Sequence, residues 1–206
     1  AFECAVGAVE PGSTARPGGP VHPLDDEGPA DPSAFTTDIS ADLAELAEVE
    51  AELDTRWPET KIEPSLTRIS TLMDLLSSPQ LTYPSIHIAG TNGKTSVTRM
   101  IDALLVALHR RTGRITSPHL QLVTERISID GTPIAPRTYI DTYRELEPYI
   151  TMVDDSSTAV GGPRMSKFEV LTAMAYAAFA EAPVDVAVVE TGMGGRWDAT
   201  NVIDSQ

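Results

Sequence analysis

Apolar residues first fall into helical spacing over residues 38–57, where Ile39, Leu43, Leu46, Val49 and Leu53 share a face opposite a row of acids. Pro58 is expected to end that helix. A second helical face follows Pro64, through Leu66, Ile69, Leu72, Leu75 and Leu76, and closes at Ser77-Ser78-Pro79. The texture then changes: residues 83–89, YPSIHIA, form a short β-prone run that leads into Gly90. Beyond a glycine-bearing loop, Val97, Met100, Ile101, Leu104, Leu105 and Leu108 recur at helical intervals and predict one apolar helix face, stopped near Gly113. Residues 114–117 read as a strand. Ile127 and Ile129 alternate ahead of Asp130-Gly131, a hairpin signal. A helix is expected over 136–153, then a loose loop through Gly161-Gly162-Pro163, then a strongly apolar helix over 166–182. The run 184–190, VDVAVVE, is rich in β-branched residues on both faces, as strands buried inside parallel sheets are. Strands alternating with helices predict an α/β fold of the P-loop type, a mostly parallel sheet flanked by helices. No internal repeat is visible.

Residues 1–35 break this pattern. Glycine and proline cluster there (Pro17-Gly18-Gly19-Pro20, Gly28-Pro29) with few large apolar side chains, so the segment reads as a disordered tail ahead of a folded unit over 36–206. The chain is 41% hydrophobic and can bury a core, yet no apolar run nears the ~18 residues of a membrane span. The single cysteine, Cys4, provides no disulfide framework and fits a reducing, cytoplasmic setting. The first residues carry no basic stretch and no sustained apolar stretch of a secretory signal. Net charge is −15, with 3 Lys/Arg against 14 Asp/Glu over residues 1–62 and 12 against 16 over residues 63–206. An acidic chain repels nucleic-acid backbones and anionic membranes, so neither is expected as a partner.

The residues that carry chemistry begin at Gly90-Thr91-Asn92-Gly93-Lys94-Thr95-Ser96, between a predicted strand and an amphipathic helix. Glycines let the backbone approach phosphate oxygens, and N–H groups at a helix start point at an anion. Lys94 supplies a point charge for β/γ-phosphates, and a hydroxyl from Thr95 or Ser96 can ligate magnesium. The strict pattern G-x-x-x-x-G-K-[ST] fails only at its first position, where Ile88 stands. Glu190 ends the apolar strand ahead of a glycine-rich loop, at the edge where open α/β sheets bind ligands. A carboxylate there is worth desolvating when a cation meets it.

The variant GTNGK followed by hydroxyl residues resembles the muramyl-peptide ligase superfamily. Thr116-Ser117-Pro118-His119-Leu120, Glu125-Arg126-Ile127 with Asp130-Gly131, Lys167-Phe168-Glu169 and the block ETGMGGRWDATN over 190–201 are similar to its folate branch, folylpolyglutamate synthase/dihydrofolate synthase. The resemblance runs from about Trp57 to the end of the chain. It implies a truncated Mur-ligase-like ATPase domain, ATP and Mg2+ as cofactors, and an amide ligase joining L-glutamate to dihydropteroate or folates through an acyl phosphate. Carried onto matching positions, it places Thr91, Asn92, Gly93 and Lys94 on ATP. It places Ser96, Ser117 and Glu190 on magnesium. It places Glu63, Pro64, Ser65 and Leu66, Ser166, Lys167, Phe168 and Glu169, and Trp197, Asp198 and Ala199 on the pteroate. Thr95 departs from the glycine frequent in that branch. Further sheet and a second domain follow in the family, so weak or absent turnover is expected of these residues alone, from a monomer.

Bland readings stand beside these. Ser117 ahead of Pro118 fits a strand-ending turn. Ser166 and Glu169 are spaced as a capping box. His87 and His119 read as structural or loop histidines, Met100 and Met174 as packing, and Arg126 and Arg196 as salt-bridging residues. Two other functions compete with a ligase: a non-catalytic nucleotide-binding module, and a small-molecule kinase.

Overall fold

The computed structural model describes residues 32–57 and 65–203, with side chains from residue 39 onward. Helix α1 (Pro32–Asp54) starts ahead of the expected position and takes in residues 32–35, which composition had given to the tail. The rest of that tail, with Pro58, Glu63 and Pro64, lies outside the described residues. Of its apolar face, Leu46, Val49 and Leu53 are buried, whereas Ile39 and Leu43 are exposed. Helix α2 (Thr67–Leu75) buries Ile69, Leu72 and Met73 and ends where Ser77 and Ser78 take positive φ. Strand β1 (Ser85–Ile88) then leads through the glycine loop into α3 (Lys94–Ala107). The remaining elements are β2 (Thr112–Ile115), the hairpin β3 (Ile127–Ile129) and β4 (Thr132–Pro133), α4 (Pro136–Ala159), α5 (Lys167–Glu181) and β5 (Val186–Glu190).

The sheet runs β1-β5-β2-β3-β4. β1, β5 and β2 are parallel, and the β3-β4 hairpin adds antiparallel to β2. Parallel pairing puts the carboxyl ends of β1, β5 and β2 on one edge of the sheet. The β5 run is buried from Ala187 to Glu190, as its composition required. β1 pairs only with β5 among the described residues, so the strand that feeds the glycine loop lies at the margin of the described sheet. The hairpin turn sits at Asp130 and Gly131, both with positive φ, where alternation and the Asp-Gly pair located it.

The two faces of the sheet are covered differently. One carries α5, with α4, α2 and α1 stacked beyond it around Tyr139, Tyr143, Tyr176 and Phe179, all essentially inaccessible. The other carries α3, which touches β1, β5 and β2. Here the hydrophobic pattern misleads. Val97, Met100, Leu104 and Leu108 are 44–71% exposed, and the side chains that α3 buries are Thr98 and Asp102. Asp102 accepts from the Thr112 hydroxyl at 2.6 Å and from the Arg114 guanidinium, whose other arm reaches Ser128 at 2.7 Å. A charge-assisted clamp, and not an apolar stripe, fixes α3 to β2. Gly113 is likewise no helix stop: α3 has already ended, with His109 at positive φ, and Gly113 lies inside β2. A Cβ there would come within 2.6 Å of the Phe179 ring, so its bare backbone lets α5 pack close.

Candidate functional site

Three loops leave the carboxyl edge of the parallel strands side by side. Gly90, Thr91, Asn92 and Gly93 follow β1, Thr116 and Ser117 follow β2, and residues 191–198 follow β5. Gly93 caps α3 with φ 75°, a conformation that favours glycine, and Lys94 and Thr95 open the helix half-buried. The residues from Gly90 to Gly93 are exposed, so the free N–H groups of a fourteen-residue helix face solvent there. A lysine at the first position of such a helix adds a mobile positive charge where an anion would sit.

Glu190 lies in register with Ile88, beside this loop, and is 2% exposed. Its Oε1 accepts from the Thr95 hydroxyl at 2.7 Å and its Oε2 from the Ser117 N–H at 3.2 Å. The side chain thus joins all three strand ends. Thr95 supplies the hydroxyl at Glu190, while Ser96 is exposed one residue on. Sequence could not choose between the two, because they differ by one step around a helix that was not yet oriented. The partners of this buried carboxylate are a hydroxyl and an amide, and among the described residues no cationic side chain pairs with it. Among the described residues no cluster of three or more His, Cys, Asp or Glu is placed to hold a metal. One carboxylate plus hydroxyls suits a hard divalent cation that keeps water and phosphate oxygens as its other ligands.

The residues implied for pteroate separate into two groups. Ser166 and Glu169 form the capping box that their spacing indicated, with the Ser166 hydroxyl accepting from the Glu169 N–H at 3.1 Å and Glu169 accepting from the Ser166 N–H at 2.8 Å. Arg68 of α2 also donates to the Glu169 carboxylate, at 3.3 Å. Lys167 pairs through Nζ with Asp54. Ser65 and Leu66 are half-buried just ahead of α2, and the Ser65 hydroxyl accepts from the Thr67 N–H. The second group surrounds the loop after β5. The Phe168 ring lies on Gly192, where a Cβ would come within 2.6 Å of it. Asp198, 7% exposed, accepts from the N–H groups of Met193, Gly194 and Thr200 and from the Thr200 hydroxyl. Trp197 is half exposed beneath the Arg196 guanidinium, and Ala199 is buried at the start of a 3₁₀ turn, Ala199–Val202.

Two contacts had no signal in the sequence. Arg68 to Glu169 is one. The other joins Thr200, fully buried, to Nε2 of His87 in β1 at 2.8 Å. Burial depresses the His87 pKa, against the pull of the Asp198 charge. Beyond Ser117, the amides of Leu120, Leu122 and Gln121 point at Glu125 and hold its carboxyl below the usual range. His119 accepts from Arg126 Nε at 2.9 Å and so serves the loop, as expected. Met174 is buried as expected, and Met100 is exposed instead.

Glycine loop, helix-opening lysine and a strand-end carboxylate on a shared sheet edge define an α/β unit of the phosphate-loop type. In sequence and in fold the chain matches the N-terminal portion of the folylpolyglutamate synthase/dihydrofolate synthases. It is 68% identical over 183 residues to the dihydrofolate synthase/folylpolyglutamate synthase of Mycobacterium tuberculosis, covering 86% of this chain and 38% of that protein. The Bacillus subtilis counterpart is 37% identical over 144 residues, 69% of this chain and 33% of that one. Among solved structures, the Mycobacterium tuberculosis folylpolyglutamate synthase complexed with ADP superposes with a TM-score of 0.76 at 70% identity, over 80% of this chain and 36% of that one. A bifunctional folylpolyglutamate synthase/dihydrofolate synthase with Mn, AMPPNP and L-glutamate bound gives 0.66 at 30% identity, over 78% and 36%. No family model matches the chain. The chain spans about a third of the length of these relatives.

Proposed function

We propose that this chain carries the Mg-ATP site of an ATP-dependent ligase that joins L-glutamate to dihydropteroate or a folate. The observation that bears most weight is the meeting of Thr95 in the first turn of α3, Ser117 after β2 and Glu190 at the end of β5, at the mouth of the Gly90–Lys94 loop. A structure 70% identical with bound ADP supports the nucleotide, and one 30% identical with bound Mn and AMPPNP supports the divalent ion.

On this proposal Lys94 and the N–H groups at the start of α3 hold the β/γ-phosphates, with Thr91, Asn92 and Gly93 lining the loop. Thr95 or Ser96, Ser117 and Glu190 would hold magnesium, whose charge when bound neutralises that of the transferring phosphoryl group. The acceptor carboxylate attacks the γ-phosphate, releasing ADP and forming an acyl phosphate. The α-amine of L-glutamate then displaces phosphate to form the amide. Both steps rest on positioning and electrostatics, so no nucleophilic side chain is required. Trp197 and Phe168, on neighbouring segments, offer aromatic surface to a flat pterin. Glu169 and Asp198 act by shaping the segments around it, since their carboxylates are engaged internally. Glu63, Pro64, Ser65 and Leu66 would border the same acceptor.

Among the described residues no helix is long and apolar enough to cross a membrane. With one cysteine and an acidic balance, the proposal places a monomer in the cytoplasm, without nucleic-acid partners. Exchanging this chain for the matching segment of the Mycobacterium tuberculosis relative tests the proposal. A chimera that releases ADP over many turnovers only when pteroate and L-glutamate are both present, with the amide as product, supports it. A phosphorylated acceptor accumulating over many turnovers without glutamate would favour a kinase, and nucleotide binding without turnover a binding module.

A further inference from the structure

His87 is not needed by the chemistry proposed above, yet its side chain is tied to the loop after β5. Its Nε2 stands 2.8 Å from the Thr200 hydroxyl, which in turn lies 2.6 Å from Asp198 Oδ1. A threonine hydroxyl has one proton. Asp198 collects N–H groups from Met193, Gly194 and Thr200 and behaves as an acceptor throughout, so that proton goes to Asp198. His87 Nε2 must then donate, which fixes the tautomer. Thr200 has no freedom to turn away: it is fully buried, and its carbonyl accepts from the Tyr176 hydroxyl of α5 at 3.0 Å. The line His87–Thr200–Asp198 therefore runs from the middle of β1 to the N–H groups of the 192–198 turn. A second tie runs alongside it, from the Thr191 N–H to the Ile88 carbonyl at 3.0 Å. Both start in a four-residue strand whose next residues are the glycine loop.

We propose that His87 is a positioning residue which, through Thr200 and Asp198, holds the turn carrying Trp197 against the root of the glycine loop, so that nucleotide at that loop tightens the turn. The coupling rests on reading Gly90–Lys94 as a phosphate loop; the clamp itself does not. Nucleotide would anchor the start of α3 and the end of β1, and β1 would pass that restraint to the turn.

Amide hydrogen exchange on this chain, read at Met193, Gly194 and Thr200 with and without Mg-ADP, tests both parts. His87→Phe keeps a ring and removes the donor, Thr200→Val keeps the shape and removes the hydroxyl, and His87→Gln retains an N–H donor. Without nucleotide, His87→Phe and Thr200→Val are expected to speed exchange at the three amides by about tenfold, the worth of one buried hydrogen bond, while His87→Gln stays near the wild type. Mg-ADP should slow exchange there in the wild type and in His87→Gln, and lose that effect in the other two although they still bind ADP. Unchanged exchange in Thr200→Val overturns the clamp, and equal loosening in His87→Gln and His87→Phe reduces His87 to packing. Thr200→Val carries the test if His87→Phe does not fold. Bound ADP with no slowing in the wild type overturns the coupling alone. A wild type that does not bind ADP refutes the phosphate-loop reading, and the coupling with it, while the nucleotide-free comparison still decides the clamp.

Discussion

Removing the charge of Asp102 should cost this fold more than removing any single side chain from the exposed ridge of α3. Asp102 is 1% exposed, and Arg114, its partner across α3 and β2, keeps 11% of its side chain exposed. In Asp102→Asn the shape and the Thr112 contact survive while a guanidinium is left nearly buried without its counter-charge. Breaking such a pair costs ~3–5 kcal/mol. Ser128 still takes one arm of Arg114, so the lower end applies, about 3 kcal/mol. For a unit of this size that lowers the unfolding midpoint by roughly 6–12 °C. Replacing both partners, Asp102→Leu with Arg114→Met, should recover most of the loss, because a buried ion pair is close in worth to a well-packed apolar pair. Thermal and urea unfolding of Asp102→Asn, and of Asp102→Leu and Arg114→Met singly and together, measure this directly. A single variant within about 1 kcal/mol of the wild type, or a double variant whose loss is the sum of the singles, would refute the clamp between α3 and β2.

Gly113→Ala should destabilise by about 1–3 kcal/mol through overpacking, since its Cβ would meet the buried Phe179 ring at 2.6 Å, and urea unfolding reads the change. Ser166→Ala should cost about 1 kcal/mol in the same measurement by uncapping α5, and Ser166→Thr much less. The depressed pKa of His87 means that the unfolded chain takes up that proton first as pH falls through 6.5. The contribution is thus fully present above that value and lost as pH drops toward the folded pKa, and His87→Gln should flatten this part of the stability-pH curve.

Local signals in the chain were read correctly where the physics was local. The β-branched run at 184–190, the glycine loop between strand and helix, the Asp130-Gly131 turn and the Ser166-Glu169 box each concern neighbours within a few residues. Failures concern partners far away along the chain. The apolar stripe of α3 was assigned to the core because nothing near Asp102 shows that Arg114 will come to meet it. Gly113 looked like a helix stop because the Phe179 ring that requires it lies 66 positions on, and Met100 looked like packing for want of the sheet's orientation. At the site, Glu190 was legible from its place at a strand end. The Thr95 contact to Glu190, the Arg68 contact to Glu169 and the His87–Thr200 link required the helices to be set on the sheet. The family resemblance supplied residues that periodicity could not, and the structure shows two of them, Glu169 and Asp198, held by internal hydrogen bonds.

The affinity of this chain for Mg-ATP, measured by calorimetry for the wild type and for Lys94→Ala, goes most directly to whether the turn between β1 and α3 grips a triphosphate. Losing a charge-assisted contact worth about 1.5–3 kcal/mol should weaken binding at least tenfold without lowering the unfolding midpoint. Equal affinities in the two proteins would contradict it.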